Sequence, residues 1–208
     1  MNDKINETGY HATSVESSKE ILDTKFNKSI PNKDKIHWLG DGVYFFTDIA
    51  WAAQWNLNAL KKKENKDKTE KDFTILKSNI EVEDDYFLDF SSIEGEEILE
   101  YLKDGLIKIL MEEDKGDLIN ELNNRSLKYW MNLLDDYGLL DDFYVLKATY
   151  VDRRKLKNIK HSDDFISKIQ CQICVRNIKC IKSTNEYNDF DKLNFIYSLL
   201  KSKGENNG

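Results

Sequence analysis

Proline is almost missing from this chain: its 208 residues contain one, Pro31, beside only nine glycines. That scarcity of turn-forming residues argues against a turn-rich all-β barrel and against a low-complexity protein. Cysteine is scarce too. Cys171, Cys174 and Cys180 are an odd number in a chain of this size and make no disulfide framework. No apolar run approaches the roughly 20 residues that cross a bilayer, so no membrane partner is expected. The opening residues, MNDKINETGY, lack the basic-then-apolar order of a secretion signal, and a cytoplasmic location is expected. What is plentiful points to a packed core. The chain is 40% apolar and 33% charged, with four Trp, ten Tyr and ten Phe, which excludes a disordered polymer. At this length folding buries about 70% of the unfolded surface, so a single domain over 1–208 is the expectation.

The net charge of -7 conceals an asymmetry. Residues 81–145 hold 19 Asp or Glu against five Lys or Arg, a net of -14, whereas residues 147–183 hold ten basic against three acidic residues, a net of +7. Most such runs are solvated faces of helices and strands. The alternative is that the basic stretch attracts an anion: a dinucleotide, a phosphate or a nucleic acid.

Periodicity organises the chain. Thr8–Ala12 reads as a short strand, and Ser14 as the cap of a helix that carries Ser18, Ile21, Leu22 and Phe26 on one face. A polar loop holding Pro31 leads to Ile36-His37-Trp38-Leu39-Gly40-Asp41-Gly42, and Val43–Phe46 reads as a buried strand. Thr47 or Asp48 would cap a helix from about Ile49 to Leu60. Lys61 to Asp72 is almost wholly charged or polar and is expected to be a mobile loop. Strand signal returns at Phe73–Val82 and Tyr86–Phe90. Two helical patterns then follow, one from Ile98 to Leu110 and one from Leu118 to Leu134. Phe143–Val151 fits either helix or strand, and Ile169–Asn177 is the final clear strand. The tail, Gly204–Gly208, is expected to fray. The order is α+β, with an acidic helical insertion over 91–140.

Few residues stand out chemically. Cys171 and Cys174 form a CxxC with His161 and Cys180 nearby, but on a strand the two thiols point to opposite faces, so buried thiols and no metal are expected. Carboxylates on amphipathic surface helices are solubilising by default. A lone His11 is more often structural, and a lone Tyr44 in a strand is usually core. Together they offer ring nitrogens and an aromatic face that can orient a ribose and stack on a flat ring.

Three segments, in order, carry a resemblance. His11-Ala12-Thr13, then Ile21-Leu22-x-x-x-Phe26, then Trp38-Leu39-Gly40-Asp41-Gly42-Val43-Tyr44-Phe45, resemble the H-G-[ST], "IL..GF" and "G.GIYF" signatures of the PARP-like (diphtheria-toxin-type) ADP-ribosyltransferases. Gln172-Ile173-Cys174-Val175 fits the late strand that a Glu opens in that family. The resemblance covers roughly 8–60 and 143–183. It implies an ADP-ribosyltransferase-like split β-sheet core and NAD as substrate. It further implies that His11 holds the ribose and that the backbone of Ala12, beside Thr13, binds the carboxamide. Tyr44, followed by Phe45, would pack on the nicotinamide, and Trp55, eleven residues on, would stack the other face. Ala52 stands where the family usually has a Ser that donates to the carboxamide.

Gln172 is the main departure. A neutral amide can hydrogen-bond a ribose but cannot offset the positive charge of an oxocarbenium-like transition state. Gln170, on the same face, is the alternative if the register slips by two. The resemblance therefore implies transfer of a single ADP-ribose to a macromolecular acceptor, RNA, DNA or protein, in the manner of intracellular toxins and phage-defence effectors. An antitoxin or regulator is then an expected partner. Arg153, Arg154, Lys155 and Lys157 would suit a nucleic acid. NAD glycohydrolysis and a catalytically inactive NAD- or ADP-ribose-binding module are the alternatives.

Overall fold

A computed structural model describes residues 3–28, 37–122, 125–151 and 169–205. Pro31, Ile36, Arg153, Arg154, Lys155, Lys157 and His161 lie outside the described residues. The chain runs β1 (Lys4–Ser14), α1 (Val15–Thr24), β2 (Val43–Phe46), α2 (Ile49–Leu60), β3 (Phe73–Glu83) and β4 (Phe87–Asp89). Three helices follow, α3 (Ile93–Glu112), α4 (Gly116–Leu122) and α5 (Leu127–Asp136), and then β5 (Val145–Val151), β6 (Ile169–Val175), β7 (Ile181–Glu186) and α6 (Phe190–Glu205). The class is α+β. One seven-stranded mixed sheet, ordered β4-β5-β6-β2-β1-β3-β7, carries the six described helices.

Local chemistry sets the element ends. The Ser14 hydroxyl accepts from the Ser17 amide and starts α1, and the Asp48 carboxylate accepts from the Ala50 amide and starts α2. Strand β2 is only four residues long and fully apolar or aromatic, as a strand with neighbours on both sides requires. Phe143–Val151 resolves to strand because β5 lies along β6, with Leu146 opposite Cys174 and Ala148 opposite Gln172.

Two packing faces result. Phe26, Val43, Phe45, Leu76, Ile173 and Val175 fill one side of the sheet. On the other side Ala12, Ala52, Ala53 and Ile75 pack beneath α2 and α6, while Leu146 and Cys174 meet the leucines of α3–α5.

The acidic helices have a topological task. β4 and β5 are parallel neighbours, with Leu88 opposite Leu146, and a parallel pair needs a crossover connection. α3–α5 are that crossover. The pattern read as one helix from Leu118 to Leu134 is two, α4 and α5.

Three expectations are corrected. Residues 61–72 are not a featureless mobile loop: they hold two 3₁₀ turns, one with Asn65 Nδ2 donating to the Ala59 carbonyl and the other closed by Thr69 and Asp72 as a capping box. Ile169–Asn177 is not the final strand, because β7 follows and pairs with β3. The expected frayed tail from Gly204 begins inside α6, which runs to Glu205.

Candidate functional site

The seam between β1 and β2 is the least regular part of the sheet. One registered pair, Tyr10 opposite Phe46, joins these strands, whereas β1 and β3 share eleven. Beside that pair a side chain takes over a backbone carbonyl: His11 Nδ1 lies 2.8 Å from the Tyr44 oxygen. A carbonyl only accepts, so Nδ1 carries the hydrogen and Nε2 keeps its lone pair. Burial lowers the pKa of His11 below the usual histidine range, and the Tyr44 carbonyl raises it by less. The ring is therefore a neutral imidazole at pH 7. Phe26 and Phe45 hold it edge-on, with centroids 5.1 and 5.8 Å away.

A cleft of about 310 Å³ opens here, lined among others by His11, Glu20, Lys25, Phe26, Asn27 and Tyr44. That volume is at the small end of ligand sites. Lys25 is strained: its backbone sits at φ 75 and ψ 174, a region occupied almost only by glycine. The "IL..GF" pattern has Gly at this position.

Tyr44 is held at both ends. Its carbonyl accepts from His11, while its hydroxyl accepts from the Leu39 amide at 2.8 Å and donates to the Gly40 carbonyl at 2.7 Å. Burial pushes the phenol pKa up, so the hydroxyl stays protonated. The tyrosine ring thus packs among Leu39, Leu146 and Cys174, and its hydroxyl staples the 39–40 turn.

The other expected residues are distributed over both faces. Gln172 sits on β6 opposite Phe46 of β2, so strand alternation puts it on the face of Phe46 and Tyr44, away from the His11 ring. Ala12 and Ala52 meet in one buried cluster under α2, at 7% and 0% exposure. Thr13 pairs with Thr74 across β1 and β3. Phe45 is core, at 1% exposure. Trp55 stands 45% exposed on α2 with the Lys62 ammonium 5.9 Å from its ring centroid. His11 and Tyr44 share the cleft; Gln172, Ala12, Thr13, Phe45, Ala52 and Trp55 are not among its lining residues. Gln170 is opposite Tyr150, two positions along β6 from Gln172.

Three groups near this site had no signal in the sequence pattern. Lys25 occupies a backbone conformation that a glycine would have advertised. Asp135 and Arg176 pair at 2.6 Å across 41 residues of sequence, which periodicity does not report. Lys147, in the basic stretch, is also engaged: it lies 2.6 Å from Glu7 and 3.5 Å from Asp89. Burial alone would lower the Lys147 pKa; those carboxylates raise it overall. Cys171 and Cys174 are opposite Thr149 and Leu146, three residues apart on one strand and so on opposite faces, and burial pushes the Cys174 thiol up to about 12.

Chemically, the cleft can accept a hydrogen bond from a hydroxyl at His11 Nε2 and present an ammonium at Lys25, while the Tyr44 ring packs on the opposite face of the sheet against Leu39 and Cys174 and reaches His11 only through its carbonyl. Among the described residues no helix is long and apolar enough to cross a membrane. Compared with known proteins, the chain matches no family model and no solved structure. It is similar to the uncharacterized protein MJ0359 of Methanocaldococcus jannaschii, 28% identical over 198 residues that span 89% of this chain and 88% of that one.

Proposed function

We propose that this chain is a PARP-like, NAD-dependent mono-ADP-ribosyltransferase whose nicotinamide ribose is held at the β1–β2 seam. The observation that carries the reading is the His11 imidazole. Its Nδ1–H is spent on the Tyr44 carbonyl, which leaves Nε2 as an acceptor for a ribose hydroxyl. The order β6-β2-β1 adds support, because the segments that resemble the family, far apart in sequence, are neighbouring strands. In the reaction the glycosidic bond to nicotinamide breaks, neutral nicotinamide leaves, and an acceptor nucleophile bonds to C1 of the ribose and gives up its proton. Positioning and stacking supply much of such a rate. The acceptor is a nucleic-acid base or a protein side chain, and a toxin or phage-defence role follows from the resemblance.

The test is incubation with NAD and cellular extract. Nicotinamide release and an added ADP-ribose mass on protein or nucleic acid are followed together. His11→Ala is expected to lower turnover by about a hundredfold. Nicotinamide release without any adduct identifies a glycohydrolase. A rise in melting temperature with NAD but no turnover identifies a binding module. Absence of both turnover and a thermal response to NAD overturns the reading, and full turnover in Gln172→Ala removes that residue from the site.

A further inference from the structure

The turn that precedes Tyr44 is fastened to the acidic helices, and one carboxylate makes most of the joint. Asp135, in the last turn of α5, accepts the Asp41 amide on Oδ2 at 2.7 Å and meets Arg176 Nη1 on Oδ1 at 2.6 Å. A carboxylate at a helix C-terminus opposes the helix dipole, so Asp135 is adverse for α5 unless something beyond the helix holds it. The Arg176 side chain, 10% exposed just past β6, does so. Gly40 is shaped to the same contact: its φ is 75, and a Cβ there would lie 2.5 Å from Asp135 Oδ2. One helical turn earlier on α5, Asn132 Nδ2 donates to the His37 carbonyl. The next links are the bonds from the Tyr44 hydroxyl to Leu39 and Gly40.

We propose that Asp135 is a positioning residue for the cleft: with Arg176 it latches the Gly40–Asp41 turn, so that the acidic crossover sets where Tyr44 stands and, through the Tyr44 carbonyl, how the His11 ring is turned. This rests on the reading of His11 as the residue that holds the ribose. It gives the crossover a role at the site that its charge and periodicity do not reveal.

Asp135→Ala alone strands the buried Arg176 and can fail to fold, so the informative variant replaces the pair together, Asp135→Leu with Arg176→Leu, which leaves neither charge unpaired. Two readouts are taken. Amide hydrogen exchange, which needs no NAD, is expected to accelerate at Leu39 and Asp41 while β5 and β6 stay protected. The KM for NAD is expected to rise about tenfold with kcat nearly kept, as displacement of the imidazole that orients the ribose predicts. A merely structural pair would lower kcat through the active fraction and leave KM unchanged. Asp135→Asn, which keeps an oxygen for the Asp41 amide, is expected to restore part of the protection. Parental KM together with parental exchange in the double variant overturns the latch. If the parent neither binds nor turns over NAD, the proposed function falls and the role given to Asp135 at the site falls with it, while the exchange result still reports separately on whether the joint holds the turn.

Discussion

His11 is a base that the fold keeps uncharged, which makes stability depend on pH. In the unfolded chain a histidine takes up a proton near pH 6.5. In the folded chain burial resists that proton, with the Tyr44 carbonyl offsetting only part. The stabilising contribution is therefore complete above about pH 6.5 and is lost as pH falls through the lower folded value. Urea unfolding at about pH 7.5 and about pH 5.5 is expected to show a smaller acid penalty in His11→Gln than in the parent. An equal penalty in both would mean that His11 titrates as it does when unfolded. Lys25 makes the converse case, a side chain retained in spite of its backbone. Relief of φ 75 by Lys25→Gly is expected to stabilise the protein by about 1 kcal/mol, read as a higher melting temperature. A lower one would mean that the lysine contributes more through its side chain than its conformation costs.

At the scale of elements, short-range signals worked where a helix or strand is specified by its own residues. Strand β2 and helix α2 appear with the bounds that the apolar run and the cap imply. The Asp48 cap also starts the helix that packs Ala52 and Ala53 behind β1. Asp48→Ala is expected to cost about 1 kcal/mol in chemical unfolding, and an unchanged midpoint would show that tertiary packing alone holds that end. Strand β7 and helix α6 gave weaker signals. β7 offers one apolar residue, Ile181, and is a strand because β3 lies beside it. α6 buries Tyr197 against α2, where Asn56 Nδ2 donates to the tyrosine hydroxyl, yet it leaves Phe190 and Phe195 exposed. A blurred apolar face gives a blurred period.

For the whole molecule, the sheet is unevenly tied. The eleven registered pairs between β1 and β3, flanked by β7, contrast with the single pair at the β1–β2 seam. Native-state hydrogen exchange is expected to be slowest for the buried amides of β3, such as Leu76 and Ser78, and faster for β2 at the seam. Equal protection across the seam would show that the His11 bridge makes the two parts open as one unit. The charge asymmetry acquires a structural account on this scale. Excess acid lies on a crossover that turns its leucines to the sheet, and the described basic residues Lys147 and Arg176 are paired with carboxylates rather than presented to an anion.

The sequence by itself determined the α+β class, the strand and helix around Tyr44, the caps at Ser14 and Asp48, and the opposed faces of Cys171 and Cys174. All of these depend on residues within a few positions of one another. It also singled out His11 and Tyr44, which meet through the Tyr44 carbonyl with their rings on opposite faces of the sheet. Only the tertiary structure decided the strand order, the parallel β4–β5 pair that makes the acidic helices a crossover, and the placement of Gln172 on the face away from the His11 ring. The same holds for the Asp135–Arg176 joint and the left-handed Lys25. Their common cause is separation: a strand neighbour or a buried ion pair is selected by packing and desolvation among groups tens of residues apart. No local period records that choice.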